Sequence, residues 1–373
     1  MLSKERLVKL SRTAGFTQPQ VVELFRWDLE LVAQIRQLSK DFILKGGAAA
    51  QLYIPLEKQR GSVDVDLMFP HGQEDLEHVI LALRKKFALH ASSVQFNEYK
   101  PKNPTPKLPM KTYNVTLPSV LNESCTIKLD VLLIKAEVPF HTVKTSKTFA
   151  GSVENLNCST RGALIGDKLL TLAKNTIGIQ LVEDYPKQLY DLEMLAYQGN
   201  CGIGELTDAV KTVKILVPVE AGFRDIHVDP IEALEDVKNT MAKFSNIDLA
   251  SADQQFKKAV SNFQQFYVSH SEMDTKQYEW SSRLLRIRFL ASLMQLHFRE
   301  KLSVREVERI YSLSKSISSR AKLAKAREVE DTKLELLKLS KGQESRELKG
   351  KPLDRVFWHA LTPENINDLN ELI

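Results

Sequence analysis

Two aspartates spaced two apart, Asp64 and Asp66, are the residues in this chain best suited to chemistry. They alternate with Val63, Val65 and Leu67, the pattern of a strand with one buried face. Successive side chains of a strand point to opposite faces, so both carboxylates share one face, roughly 7 Å apart. Carboxylates that close repel each other unless solvent or a cation lies between them. Mg²⁺ prefers oxygen ligands and often takes only one or two carboxylates plus substrate phosphates. The plainer alternative is the solvated face of an edge strand, which is common in sheets. Lys45-Gly46-Gly47, just upstream, shifts the balance. Glycines at a strand-to-helix turn let the backbone approach a phosphate, and a helix start offers N–H groups with no helical partner. A phosphate cradle followed by a two-carboxylate strand is the arrangement that nucleotidyl transfer requires.

The elements around this stretch follow from hydrophobic spacing. Phe42 to Leu44 is an apolar run ending at the glycines, Ala48 to Tyr53 is helix-prone, and Pro55 to Gly61 is a polar loop. Before it, residues 1–40 read as helices, with Val22, Phe25, Leu29, Val32 and Ile35 at helical spacing. After it come a helix over Glu74–Leu89, a strand over Val94–Tyr99 and a loop with four prolines over Lys100–Met110. Lys111–Leu117 and Cys125–Lys135 read as paired strands. The second carries Asp130 opposite an apolar face of Ile127, Leu129 and Val131. Aspartate is disfavoured in strands, and one set in an apolar strand usually has a partner. Asp130 is therefore either a third functional carboxylate or a charge on an exposed face. Helices follow over Gly162–Ile177 and Glu183–Tyr197. The break at Gly199–Gly204 suggests a boundary, giving domains of 1–200 and 201–373, the latter nearly all helical.

The 373 residues suffice for two cores, and a net charge of +5 does not by itself announce nucleic acid. Three scattered cysteines without metal spacing fit reduced thiols. No signal-peptide pattern and no membrane-length apolar run is visible, so a cytoplasmic protein with no membrane partner is expected.

Lys45-Gly46-Gly47 with Arg60, Ser62, Asp64 and Asp66 resembles the first motif of the nucleotidyltransferase toxins of the AbiEii/MenT group, in the DNA polymerase β-like superfamily. The gap from the glycines to Asp64 is slightly long for the group, which a loop tolerates. Asp167-Lys168 and Lys187-Gln188-Leu189-Tyr190-Asp191-Leu192 resemble its later motifs, departing at Gln188, where the group has an acid. The resemblance covers residues 40–195.

It implies an α/β (α+β) polymerase β-like mixed sheet with flanking helices, followed by a mainly helical domain. It implies an enzyme that binds an NTP with Mg²⁺ or Mn²⁺ and transfers a nucleoside monophosphate to an acceptor hydroxyl. Asp64, Asp66 and Asp130 would hold metal. Lys45, Gly46, Gly47, Arg60, Ser62 and Lys168 would contact the nucleotide. Asp64, Asp66, Lys168 and Asp191 would form the catalytic set, Asp191 orienting Lys168 or the acceptor. The bland alternative for Lys168 and Asp191 is an interhelical ion pair. The group further implies tRNA as acceptor, a translation block, and a cognate antitoxin encoded nearby. The rivals are a transferase acting on a small molecule or protein, and a silent scaffold binding RNA or an antitoxin through its helices. Arg283, Arg286 and Arg288 are as well suited to tracking RNA phosphates as to an ordinary helical surface.

Overall fold

The computed structural model describes residues 3–88, 94–100, 107–135, 137–199, 201–249, 252–323, 326–339 and 343–373. Most of the proline-rich loop, the last residue of the helix over Glu74–Leu89 and Asn200 in the glycine-rich break lie outside the described residues. In chain order the elements are α1 (Lys4–Thr13), α2 (Pro19–Leu38), β1 (Ile43–Lys45), α3 (Gly46–Gln51), β2 (Asp64–Phe69), α4 (Gln73–Ala88), β3 (Gln95–Tyr99), β4 (Met110–Pro118), β5 (Ser124–Leu133), β6 (Phe140–Thr148) and β7 (Gly151–Ser159). Then come α5 (Arg161–Thr171), α6 (Tyr185–Leu192), α7 (Ile203–Arg224), α8 (Pro230–Phe244), α9 (Gln254–Tyr267), the short α10 (His270–Met273), α11 (Gln277–Phe298), α12 (Val304–Leu323), α13 (Ala326–Leu339), α14 (Gln343–Leu348), α15 (Leu353–Ala360) and α16 (Ile366–Leu372). The chain divides into two compact units, one of residues 1–167, 211–227 and 261–274, the other of 168–210, 228–260 and 275–373.

The first unit is built on one seven-stranded mixed sheet of order β3-β4-β5-β2-β1-β7-β6. β2 lies at its centre, parallel to β5 and antiparallel to β1. Its first four residues alternate: Val65 and Leu67 are buried while Asp64 and Asp66 are half-buried, and the strand ends in buried Met68 and Phe69. Leu44, Leu129, Val131 and Tyr113 from neighbouring strands are buried as well. Burying side chains of this size stabilises the fold by about 1.5–3 kcal/mol each, which fixes which face turns inward. The expected pairing of residues 111–117 with 125–135 is present as β4 and β5, running Met110↔Leu132 through Pro118↔Ser124. β6 and β7 have no counterpart in the sequence reading. β6 is polar and largely exposed, with Thr142, Thr145, Ser146 and two lysines, so it shows no hydrophobic alternation. It is an edge strand, where lysines discourage pairing with another chain.

The second unit is helical. α8 opens with a capping box: Asp229 accepts from the Glu232 N–H, Glu232 accepts from the Asp229 N–H, and Pro230 follows. Phe357 and Trp358, near the end of the chain, are buried here, and the Trp358 indole N–H donates to the Ser318 hydroxyl at 3.0 Å. Among the described residues no helix is long and apolar enough to cross a membrane. Cys125 and Cys158 are buried thiols whose pKa burial pushes up to about 11 and about 12.

Candidate active site

Sheet register sets the site. Lys45 on β1 pairs with Asp66 on β2, Asp66 with Asp130 on β5, and Asp130 with Thr112 on β4. One row across four strands thus reads Lys45, Asp66, Asp130, Thr112. The neighbouring row on the same face reads Asp64, Lys128, Asn114. Both expected metal-binding aspartates and the third carboxylate therefore project from one face, opposite the apolar core.

The two glycines close against this face. Gly46 has φ +70°, in the left-handed region, and a Cβ placed on it would fall into the Asp66 carboxylate, 2.6 Å from Cγ. A Cβ on Gly47 would come 2.8 Å from an Arg60 guanidinium nitrogen and 3.4 Å from the Ser62 hydroxyl oxygen. The sequence motif is thus a contact in space: Asp66 lies over Gly46, and Arg60 and Ser62 lie over Gly47. Arg60 and Ser62 are each 3% exposed. The Arg60 backbone N–H donates to the Gln51 side chain at 2.9 Å, and its guanidinium donates to the Gly61 carbonyl at 2.7 Å. Gly46→Ala is expected to cost about 1–2 kcal/mol in backbone strain and to displace the Asp66 carboxylate. Activity should fall far more than stability, which paired measurements of melting temperature and turnover would show.

Lys45 sits among acids, 3.5 Å from Asp167. Burial lowers its pKa, but Asp167, Asp66 and Glu220 outweigh burial and hold it above the ordinary lysine value. Asp130 accepts from Thr112 Oγ1 at 2.5 Å and from Lys128 Nζ at 2.8 Å. Lys128 is likewise shifted upward, burial being outweighed by Asp130, Asp64 and Asp66. A cavity of about 150 Å³ lies among Lys45, Asp66, Asp130 and Glu220, walled by Leu108, Met110 and Leu132. Glu220 comes from α7, and no feature of its helix singled it out in the sequence.

Among the described residues no three acidic, histidine or cysteine side chains form a preformed metal cluster. The donor set present is the pair Asp64 and Asp66, with Asp130 one strand away and engaged by Lys128. That set fits Mg²⁺, which commonly completes its shell with water and substrate phosphates.

Asp28 on α2 is the residue sequence reasoning missed. It is fully buried, and neither carboxyl oxygen is hydrogen-bonded by a described residue. Its signal was legible: it stands on the apolar stripe, three after Phe25 and four before Val32. Burial, then Asp64 and Asp66, push its pKa well above the ordinary carboxylate value, while Ser62 and Arg60 oppose the shift. The Ser62 hydroxyl is the polar group that opposes the shift, and it also meets the Asp64 carbonyl at 3.2 Å. The sign follows from proton counting. The unfolded chain releases this proton near pH 4, the native chain only at higher pH, so Asp28 lowers stability as pH rises above about 4. Asp28→Asn should therefore melt higher than wild type at pH 8 in chelator, with the gap closing toward pH 4.

Lys168 and Asp191 lie in the second unit and pair with each other, 2.8 Å apart, at 2% and 0% side-chain exposure. Lys168 also donates to the Gln188 side-chain oxygen at 2.9 Å. Gln188, which had no assigned role, thus occupies its motif position as a ligand of the lysine. Arg283 and Arg286 are buried rather than poised for RNA. Arg286 meets Glu193 at 2.8 Å, and Arg283 lies over the Trp280 and Tyr190 rings. Of the three arginines weighed for RNA, Arg288 alone is exposed.

The model of the nucleotidyl transferase AbiEii toxin family, described as a type IV toxin–antitoxin system, matches residues 30–267. None of the curated proteins matches the chain.

Proposed function

The chain belongs to the nucleotidyl transferase AbiEii toxin family, and on that premise we propose that it transfers a nucleoside monophosphate from an NTP to the 3′ end of tRNA. The observation that carries this reading is the shared face of Asp64, Asp66 and Asp130, with Asp66 packed over Gly46. The acceptor hydroxyl oxygen would bond to the α-phosphorus, the bond to the β-phosphate oxygen would break, and pyrophosphate would leave with the proton lost to solvent. Asp64 and Asp66 would hold Mg²⁺ or Mn²⁺, with Asp130 as the third carboxylate. The ion supplies charge neutralisation on the triphosphate and a lower pKa for the acceptor hydroxyl. Gly46 and Gly47 let the backbone approach the phosphates, and Lys45, Arg60 and Ser62 flank them. Lys168, next to Asp167 in the chain and paired with Asp191, is assigned to the nucleotide by its motif. In the cell the modified tRNA would be withdrawn from translation, and a cognate antitoxin would restrain the enzyme.

The experiment is incubation with total tRNA, Mg²⁺ and each α-labelled NTP in turn. Label in tRNA for one or two nucleotides establishes chemistry and acceptor together. No label despite measurable NTP binding removes tRNA and leaves small-molecule or protein acceptors. Absence of NTP binding leaves a scaffold.

A further inference from the structure

A second opening lies on the carboxylate face, one row from Asp66. It is a groove of about 410 Å³, reached by Asp64 and Lys128 from the sheet. That volume falls in the range of small-molecule sites, whereas the 150 Å³ cavity at Asp66 and Asp130 does not. Further sheet residues, Asn114 of β4 among them, line it as well, and its other walls come from the start of α2 and the end of α9. The end of α9 is fastened both to the entry of β2 and to the residues that precede α2. The Gly61 N–H donates to the Tyr267 carbonyl at 2.8 Å, and the Thr17 hydroxyl donates to the Gln265 carbonyl at 3.2 Å.

The chemistry of the lining is specific. Phe266 leaves 41% of its surface exposed. The carboxamides of Gln18, Gln20 and Asn114 also line the groove, and among the described residues none of the three makes a side-chain hydrogen bond. An open aromatic face beside carboxamides with donors and acceptors to spare matches a nucleobase, which has a flat π surface and a hydrogen-bonding edge. Charge argues against a nucleic-acid strand. Among the described residues Lys128 is the one cation in the lining, and it is already bound to Asp130, whereas binding a strand needs several cations to neutralise phosphates.

Resting on the transferase reading above, we infer that this groove holds the base and ribose of the incoming nucleotide. Phe266 stacks on the base, and Gln18, Gln20 and Asn114 read its edge. The triphosphate then extends along the sheet face toward Asp66 and the glycines.

The test is equilibrium dialysis of the full chain with each labelled NTP, with tripolyphosphate and with tRNA, for wild type, Phe266→Ala, Phe266→Trp, Gln20→Ala and Asn114→Ala. Phe266→Ala should weaken the preferred NTP about five- to a hundredfold and leave tripolyphosphate unchanged. Phe266→Trp should restore binding, and the carboxamide variants should alter the ranking of the four NTPs. Equal NTP affinity in wild type and Phe266→Ala overturns the inference, as does equal weakening of tripolyphosphate. Weakened tRNA binding with NTP binding intact would give the groove to the acceptor and also overturn it. A wild-type chain that binds no NTP removes the transferase reading itself, a result distinct from these.

Discussion

Asp66→Asn is expected to lower nucleotidyl transfer by about a thousandfold or more, the order of loss seen when one member of a catalytic group is removed. A thousandfold corresponds to about 4 kcal/mol of transition-state stabilisation. The substitution keeps the shape of the side chain over Gly46 and removes one negative charge from the face proposed to hold Mg²⁺. Lys45 keeps Asp167 at 3.5 Å, so the row is not left with an isolated buried cation. Melting temperature should stay within a few degrees while label incorporation disappears. Retained activity at this level would withdraw Asp66 from the site. Asp64→Asn should behave alike, since it shares the face and both carboxylates act on the Lys128 charge.

Lys168→Met carries the second large effect, and it acts first on the fold. Asp191 is fully buried, and removing its lysine leaves a carboxylate in the interior without that counter-charge. Breaking a buried pair from one side costs about 3–5 kcal/mol. In a chain of this size the melting temperature should fall by roughly 5 °C. Asp191→Asn added to Lys168→Met removes the stranded charge and should recover most of that loss. Activity separates the two roles of the lysine. If it serves the nucleotide, the double variant melts near wild type and still fails to transfer label. If the pair is only a brace between α5 and α6, transfer returns with stability.

Much of the proposed site could be read from the sequence because strand chemistry is periodic. Alternation placed Asp64 and Asp66 on one face, and Asp130 on its own strand obeyed the same rule. The register that sets Asp66 beside Asp130 was not legible, because pairing is decided by which strands meet. Asp28 stands out little in the sequence because a helical stripe is recognised by its apolar members, and α2 buries a second acid, Glu23, as well. Arg283 and Arg286 misled for the converse reason. Helical spacing cannot separate an arginine facing water from one stacked on Trp280 or paired with Glu193, a residue some ninety positions away. Glu220 lies farther still from the motifs it adjoins. β6 lacked a signal because an edge strand need not bury either face; β7 is internal, but its buried Val153, Leu156 and Cys158 break strict alternation around Asn155, whose φ is +50°.

The alternation in β2 has one more consequence, and it concerns errors. Shifting a strand by one residue against its neighbours exchanges its two faces. In β2 such a slip would drive Asp64 and Asp66 into the apolar layer and expose Val65 and Leu67. Burying an unpaired carboxylate costs several kcal/mol, and exposing the apolar residues forfeits their burial, so the slipped form is penalised twice. The residues proposed to carry the reaction therefore also proofread the sheet in which they sit. A variant with both aspartates changed to valine would lose that safeguard along with its activity, and would be the one most prone to misassembly.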